Sequence, residues 1–271
     1  MEAHTRFSGT IPEIYDRHLG PVLFEPYGAD LTRRVSGHPA GPVLEIACGT
    51  GLLTRRLRAH LPERTPLVAT DLSKSMLDYA REKHGGIRDI EWQQADAGAL
   101  PFSSASFAAI ACQFGLMFVP DKKAAIRECR RVLVDGGLVA LNVWDSLDHN
   151  PFARIAHETI GGFFPTDPPG FYKEGPFSFY DPKVLGDLLD THGFAQVHID
   201  RVTLEAHSSS AQSFAIGLVK GNPISKVIEE RGASHAQIVA AVTEALTRVG
   251  GDRPFRSTMQ AFVATARAAG S

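Results

Sequence analysis

Short apolar runs alternate with stretches of helical pattern between residues 43 and about 145. PVLEIA and PLVATD are short apolar runs that end in a carboxylate or a turn, and the last predicted helix begins with Asp121 after Pro120 and closes at DGG. Alternation at this spacing is typical of a parallel sheet covered by helices on both faces. The predicted strands are PVLEIA, PLVATD, IEWQQAD, FAAIACQ and GLVALNVW, and the predicted helices are Leu52–His60, Lys74–Lys83 and Asp121–Val134.

The C-terminal part of the chain continues the alternation less regularly. Residues 181–193 have a helical pattern, and residues 196–204 and 255–265 have strand patterns. Residues 211–250 between those strands are helical, with breaks at GNP and RGAS. This helical piece is longer than a hairpin connection needs. We therefore expect it to belong to a cap.

Composition and charge narrow the class of protein. The chain has 271 residues, 44% hydrophobic and 21% charged, with a net charge of −2. These values are ordinary for a globular protein and give no basic face for nucleic acid or an anionic membrane. We see no signal peptide and no apolar run long enough to span a membrane. Cys48, Cys112 and Cys129 lack paired spacing and predict buried, reduced thiols. A cytoplasmic enzyme is the expectation.

Two glycines follow the first predicted strand, in VLEIACGTG. In open α/β sheets the ligand lies outside the carboxyl ends of the strands, where glycine lets backbone N–H groups approach it. A dinucleotide fingerprint needs a third glycine, but Thr54 stands three residues after Gly51. A P-loop is excluded because no G-K-[ST] follows. The turn suits a smaller zwitterionic or carboxylate end of a nucleoside.

Three carboxylates lie near successive strand ends: Glu45, Asp71 and Asp96. A lone carboxylate there is most often a helix cap or a turn former. Asp71 could cap the following helix, and Asp96 could form an Asx-turn. An acidic residue after the second strand can also accept hydrogen bonds from both hydroxyls of a ribose. One carboxylate can serve both purposes, so the two interpretations are compatible.

The segments VLEIACGTG, VATDLSKSMLDYAR, WQQADAGALPF and FAAIACQFGLMFVPDKKAAIRECRRVLVDGGLVALNVW together resemble the class I S-adenosylmethionine-dependent methyltransferases. They look most like the small-molecule branch that includes ubiquinone and menaquinone biosynthesis methyltransferases. The motifs cover residues 43–145, and IYDRHLGPVLFEPYGADL is similar to the helical lead-in of this branch. One departure is Ala47, where the family often has glycine. The cofactor implied is S-adenosyl-L-methionine.

The resemblance implies an α/β fold: a Rossmann-like, seven-stranded, mostly parallel sheet with helices on both faces and a helical or loop cap. The last strand, 255–265, would be antiparallel and lie near 196–204. The implied organisation is a lead-in over the cofactor site at 1–40, a cofactor-binding core at 41–145, an aromatic-rich lid at 146–180, and the remainder of the sheet at 181–271 with the cap insertion at about 211–250.

The resemblance also assigns roles to residues. The glycine turn would take the amino acid portion of the cofactor, the second strand end its ribose, and the third its adenine. Tyr15 in the lead-in is either a cofactor contact or an ordinary core tyrosine. The implied cofactor-binding set is Tyr15, Glu45, Ala47, Gly49, Gly51, Asp71, Leu72, Met76, Asp96, Ala97 and Gln113.

The chemistry needs few groups, because a sulfonium is already an activated electrophile and the protein mainly aligns the nucleophile and excludes water. An acceptor oxygen or nitrogen can still need a base, and His149, just after the fifth strand, is the catalytic candidate. No group of side chains has metal-ligand spacing. We expect no metal.

Six aromatic residues lie between Phe163 and Phe179. They either pin the loop to the body of the protein or line an apolar pocket. The second interpretation predicts a small, largely apolar acceptor, contacted by Phe163, Phe164, Phe171 and Tyr172, and neither a nucleic acid nor a membrane. Two rival functions are a methyltransferase-like binding or regulatory module without activity, and a nucleotide-binding oxidoreductase. The missing third glycine and the DAGALPF motif argue against the oxidoreductase.

Overall fold

The computed structural model describes residues 7, 9–37 and 40–270. Seven strands form one sheet in the order β3-β2-β1-β4-β5-β7-β6. The pairs among β1 to β5 are parallel, and β7 is antiparallel to β5. The predicted fold class and the antiparallel last strand beside the sixth are therefore confirmed. The strands are β1 Val43–Ile46, β2 Leu67–Asp71, β3 Ile90–Gln94, β4 Phe107–Gln113, β5 Leu133–Trp144, β6 Phe194–Ser208 and β7 Phe255–Ala268.

Helices connect the strands, and the regions 181–193 and 211–250, which were predicted to be helical, contain helices. A π-helix at Tyr15–Phe24 and short 3₁₀-helices at Leu116–Phe118 and Leu147–His149 supplement the α-helices. Within the described residues, none of the helices has the length and apolarity to cross a membrane. The α-helices are α1 Ile11–Ile14, α2 Glu25–Ser36, α3 Leu52–His60, α4 Lys74–His84, α5 Lys122–Val132, α6 Pro151–Gly162, α7 Phe171–Glu174, α8 Pro182–Asp190, α9 Ala211–Lys220, α10 Ile224–Glu230 and α11 His235–Gly250.

The end of α5 differs from the prediction, which extended that helix to Val134. The helix stops at Val132, and the next residues already belong to β5. Leu133 is 1% exposed and pairs with Phe107, after which the strand register shifts. Burial of Leu133 in the sheet therefore outweighs its good helix propensity.

By its internal contacts the chain divides into two compact units. The first unit contains the residues up to Pro26, Asp145–Ser178 and Thr203–Gln260, and the second contains Tyr27–Trp144, Phe179–Val202 and the chain from Ala261 onward. The core of the second unit contains apolar side chains from one face of the sheet and from α2 and α3. Its members include Leu31, Val35, Val43, Leu53, Leu57, Leu67, Ala109, Ala111, Leu138, Ala140 and Val263.

The first unit has an aromatic core and a close helix packing. The ring centroid of Phe214 lies 5.5 Å from that of Phe152 and 5.4 Å from that of Phe255. A Cβ added at Gly217 would lie 2.6 Å from Leu19 Cδ2 in the π-helix. Glycine at this position lets the backbone of α9 approach the π-helix more closely than any side chain would allow.

Candidate functional site

The turn after β1 has an unusual backbone. Ala47, Gly49 and Gly51 have φ angles of 56°, 56° and 78°, in the left-handed region. The Gly51 N–H donates to the Cys48 carbonyl (2.9 Å), and the Cys48 N–H donates to the Thr70 carbonyl (2.9 Å). A left-handed alanine is strained by its Cβ, so Ala47 is a local cost where glycine would fit without strain.

The two glycines of this turn have different surroundings. Among the described residues, nothing lies within 4 Å of a Cβ placed at Gly49. A Cβ at Gly51 would lie 2.7 Å from His84 Cδ2 and 3.0 Å from Trp92 Cη2. His84 is 4% exposed, and its Nε2 lies 3.1 Å from the Thr50 carbonyl. His84 therefore packs against the turn at Thr50 and Gly51. The space beside Gly49 is open among the described residues.

Asp71, at the end of β2, joins this turn to the start of α4. Its Oδ2 accepts a hydrogen bond from the Gly49 N–H (2.8 Å), and its Oδ1 accepts one from the Ser73 N–H (2.7 Å). Burial raises the pKa of Asp71, and these two hydrogen bonds oppose the rise. Each carboxylate oxygen keeps a second lone pair for a ligand hydroxyl.

The N-cap of α4 is Ser73, whose Oγ accepts from the Met76 N–H (3.4 Å). Asp71 is thus not the cap, which the sequence had allowed. Met76 is 4% exposed, whereas Leu72 is 47% exposed beside the same strand end. An exposed leucine next to a polar turn is a natural contact for a flat apolar ring.

Asp96 follows β3 and forms the Asx-turn considered from the sequence. Its Oδ1 accepts from the Gly98 N–H (2.8 Å), and Asp96 forms a bridge with Ala99. Asp96 is exposed and Ala97 is half-buried. The second carboxylate oxygen of Asp96 and the Ala97 backbone are therefore open to a ligand in this turn.

Glu45 lies within β1 and is 1% exposed. Among the described residues its Oε2 has no hydrogen-bond partner. Burial raises the pKa of Glu45 to about 8, the nearby Thr54 hydroxyl opposes the rise, and the negative charge of Asp71 adds to it. A buried carboxyl oxygen without a hydrogen-bond partner, such as Glu45 Oε2, is costly unless a ligand or water pairs with it.

We expect this carboxyl to make stability depend on pH. In the folded protein Glu45 keeps its proton up to about pH 8, whereas the ordinary pKa of a glutamate, which applies to the unfolded chain, is 4.5. Unfolding therefore releases a proton between these values, and the free energy of unfolding falls as pH rises through this window, by at most about 1.4 kcal/mol per pH unit. Glu45→Gln should flatten this slope in urea denaturation of the ligand-free protein between pH 5 and 8. Parallel slopes for the two proteins would contradict the assignment.

The segment after β4 approaches the same turn. A Cβ added at Gly115 would lie 2.4 Å from Ala47 Cβ, so the backbone at Gly115 packs directly on Ala47. Gln113 is half-buried, and its Oε1 would lie 3.4 Å from a Cβ at Gly28 in α2. Phe114 between them has a φ of 51°, which is rare for a bulky residue.

The structure brings together five of the ten predicted cofactor residues of the second unit: Glu45, Ala47, Gly49, Gly51 and Asp71. Glu45, the Ala47–Gly51 turn and Asp71 adjoin through neighbouring strands and direct hydrogen bonds, and Gly115 adds the segment after β4. Sequence reasoning missed His84, Phe114 and Asn142. A histidine near the end of a helix and a phenylalanine after a strand carry no sequence signal for these contacts.

His149 and Asp145 belong to the first unit. The His149 imidazole is 53% exposed, and its Nδ1 lies 3.4 Å from Asp145 Oδ1 and 3.2 Å from Ser146 Oγ. Asp145 is 4% exposed, and its Oδ2 accepts from Gln260 Nε2 (2.5 Å). The exposed imidazole therefore has a hydroxyl within hydrogen-bond distance and a buried carboxylate nearby, and groups of this kind can orient a histidine for proton transfer.

The predicted aromatic residues of the first unit differ in exposure. Phe163 is 39% exposed, and the Arg231 guanidinium lies 5.2 Å from the centre of the Phe164 ring. Tyr172 is 4% exposed, and its hydroxyl donates to the Leu218 carbonyl (2.7 Å). The Tyr15 ring stacks on Phe24 at 4.7 Å. The contacts of Tyr172 favour a structural role.

Comparisons with known proteins identify the class. A family model described as a methyltransferase domain matches residues 43–137. The ubiquinone/menaquinone biosynthesis C-methyltransferase UbiE of Desulfotalea psychrophila is 31% identical over 179 residues, which cover 62% of this chain and 72% of that protein. UbiE of Hahella chejuensis is 43% identical over 127 residues, covering 45% and 51%.

Among solved structures, phosphoethanolamine N-methyltransferase 2 of Haemonchus contortus, in complex with phosphomonomethylethanolamine and S-adenosylhomocysteine, has a TM-score of 0.62. It is 14% identical and covers 99% of this chain and 60% of its own, a likeness of fold alone. Fold, site and relatives define a class I methyltransferase that uses S-adenosylmethionine and acts on a small molecule. The chain belongs to the family of the ubiquinone/menaquinone biosynthesis C-methyltransferases.

Proposed function

We propose that this methyltransferase transfers its methyl group to a ring carbon of a small, apolar acceptor of the quinol class. The observation that carries the proposal is the family membership: the relative matched over 72% of its length is named as a C-methyltransferase of quinone biosynthesis. A ring of this kind offers apolar area and few charges, which agrees with a protein whose net charge is −2.

The second unit fits S-adenosylmethionine. We assign the amino acid portion to Glu45 and to the Ala47–Gly51 turn, with Gly49 free to face the ligand. Glu45 Oε2, which lacks a hydrogen-bond partner among the described residues, is the acceptor for an ammonium group. Gln113 is assigned beside the sulfonium end.

The nucleoside portion follows from the next two strand ends. Asp71 accepts the ribose hydroxyls through the lone pairs that the Gly49 and Ser73 amides leave available. The remaining contacts are to the adenine ring, which would pack on apolar side chains after β2 and bind to the turn after β3. They are assigned to Leu72, Met76, Asp96 and Ala97.

His149 is proposed as the general base. When bound, the cofactor supplies the methyl group as an activated sulfonium electrophile. Methylation of a quinol ring carbon forms a C–C bond, breaks the S–CH₃ bond and releases the proton of that carbon, so one proton must leave the acceptor. The His149 imidazole takes it, while Asp145 stabilises the resulting cation.

Phe163, Phe164 and Phe171 are proposed as acceptor contacts, because their rings are exposed or half-buried. Tyr172 is 4% exposed, so we assign it to supporting Phe171, whose ring centroid lies 5.3 Å from its own, and not to direct contact with the acceptor.

The test is methyl transfer to a reduced 2-prenyl-1,4-naphthoquinone, with the product analysed by mass spectrometry and NMR. We expect one methyl group on the ring carbon. His149→Gln should lower the rate by about 100-fold with unchanged affinity for S-adenosylhomocysteine. His198→Gln is the matched control, since that exposed imidazole also pairs with a carboxylate, Asp200, at 3.1 Å. Methylation on oxygen would refute the carbon assignment, and an unaffected His149→Gln would refute the base.

A further inference from the structure

Phe114 is the most strained of the bulky residues beside the cofactor turn. Its φ of 51° places a large side chain in the left-handed region, which glycine prefers. Such a conformation persists only where the surroundings enforce it, and strained residues of this kind cluster at functional sites. The question is which groups enforce it.

Two residues of β5 hold Phe114. The Oδ1 atom of Asn142 accepts a hydrogen bond from the Phe114 N–H (2.8 Å), and the Trp144 ring stacks on the Phe114 ring with centroids 4.0 Å apart. Asn142 and Trp144 are two positions apart, so they share one face of the strand. The Tyr27 ring closes the cluster edge-on, at 5.2 Å from Phe114.

Asn142 makes this contact at a cost. It is 0% exposed, and its Nδ2 has no hydrogen-bond partner among the described residues. Buried polar groups are nearly always satisfied, and a buried unpaired donor is destabilising. An apolar side chain at this position would have no unpaired donor. The Phe114 N–H would still have an acceptor, because it also donates to the main-chain carbonyl of Asn142 at 3.3 Å.

The two neighbours of Phe114 in the chain contact the turn after β1 and the strand β5. The residue after Phe114 is Gly115, whose backbone packs on Ala47, and the residue before it is Gln113, which pairs with Asn142 across the strands. We propose that Asn142 is a positioning residue of the cofactor site. It fixes Phe114 in the left-handed conformation and thereby sets Gly115 against Ala47 and the direction of Gln113.

This inference rests on the cofactor contacts proposed above for Ala47 and Gln113. The test is calorimetric titration of the full chain with S-adenosylhomocysteine, together with thermal melting. Asn142→Leu should raise the Kd by about tenfold or more, since small displacements of positioning contacts have large effects. Its melting temperature should stay close to that of the wild type, because the lost hydrogen bond is offset by removal of the unpaired donor.

Two further variants separate positioning from stability. Asn142→Asp keeps an acceptor oxygen, and burial favours its neutral carboxyl, which should bind within about threefold of the wild type when the titration is run at pH 5. Asn222→Leu is the matched control in the first unit: Asn222 is 6% exposed, its Nδ2 donates to the Leu218 carbonyl (2.8 Å) and its Oδ1 accepts from the Ile224 N–H (3.3 Å). That variant should lose stability and keep its affinity.

The inference is overturned if Asn142→Leu binds like the wild type, or if Asn142→Asp is as weak as Asn142→Leu. It is also overturned if Asn142→Leu and the smaller Asn142→Ala both fail to fold, since Asn142 would then be structural. Failure of the wild type itself to bind S-adenosylhomocysteine would instead overturn the cofactor assignment, and the inference with it, before any variant is compared.

Discussion

Asp71→Ala is expected to weaken binding of S-adenosylhomocysteine by about 1.5–3 kcal/mol, roughly 10- to 150-fold in Kd. The physical reason is twofold. The variant removes the carboxylate proposed to accept the ribose hydroxyls, and it leaves the Gly49 and Ser73 N–H groups without their acceptor. The turn that should hold the amino acid portion is then less ordered as well. Isothermal calorimetry, well below the melting temperature of the variant, measures the effect.

Asp78→Ala provides the matched control for this experiment. Asp78 lies on α4, seven residues after Asp71, and forms an exposed ion pair with Lys74 at 2.5 Å. Exposed pairs of this kind contribute little, so its loss should leave both affinity and stability nearly unchanged. If Asp71→Ala melts earlier but binds with wild-type affinity, Asp71 only orders the turn and the ribose assignment is wrong.

The two glycines of the turn should respond differently to alanine. Gly51→Ala adds left-handed strain, about 1–2 kcal/mol, and a Cβ only 2.7 Å from His84, which costs a further 1–3 kcal/mol or so. Gly49→Ala adds the strain without a clash within the described residues. We therefore expect Gly51→Ala to lose roughly 2–5 kcal/mol in urea denaturation and Gly49→Ala about 1–2 kcal/mol.

The affinities of these two variants for S-adenosylhomocysteine should not follow the order of their stabilities. Gly49→Ala places its methyl group in the space assigned to the ligand, so its affinity for S-adenosylhomocysteine should fall by more than its stability predicts. His84→Ala should recover part of the stability lost in Gly51→Ala, because the two side chains would otherwise overlap. Equal costs for the two glycines, or no recovery in the double variant, would show that His84 does not limit the turn.

Much of the fold could be predicted because periodicity, glycine and proline mark its elements directly. The predicted helix at Leu52–His60 has the observed bounds of α3. The predicted breaks at GNP and RGAS separate α9, α10 and α11. By contrast, Asp71 and Ser73 compete for the same cap at the start of α4, and only the geometry shows that Ser73 provides it.

Residues of the candidate site could be proposed from the sequence only where the residue type itself is a signal. Gly49 and Asp71 are such residues, and the structure joins them by a hydrogen bond. Ala47 and Phe114 give no such signal. A left-handed backbone at a residue other than glycine depends on tertiary contacts, which the hydrophobic periodicity of the sequence does not reveal. The unpaired amide of Asn142 likewise becomes visible only when the surroundings of every buried polar atom are known.

The division of the chain has a consequence for how such an enzyme can change. Each unit is assembled from three stretches of sequence, and the backbone passes from one to the other at five points, so neither unit can be produced by cutting the chain once. The first unit consists of an N-terminal extension and two insertions, Asp145–Ser178 and Thr203–Gln260, placed between segments of the second. The strand pairs of β1 to β4 contain no residue of those insertions. If the acceptor contacts proposed in the first unit are correct, engineering of a new acceptor should exchange both insertions together within one uninterrupted gene and retain residues 43–137, which match the methyltransferase domain.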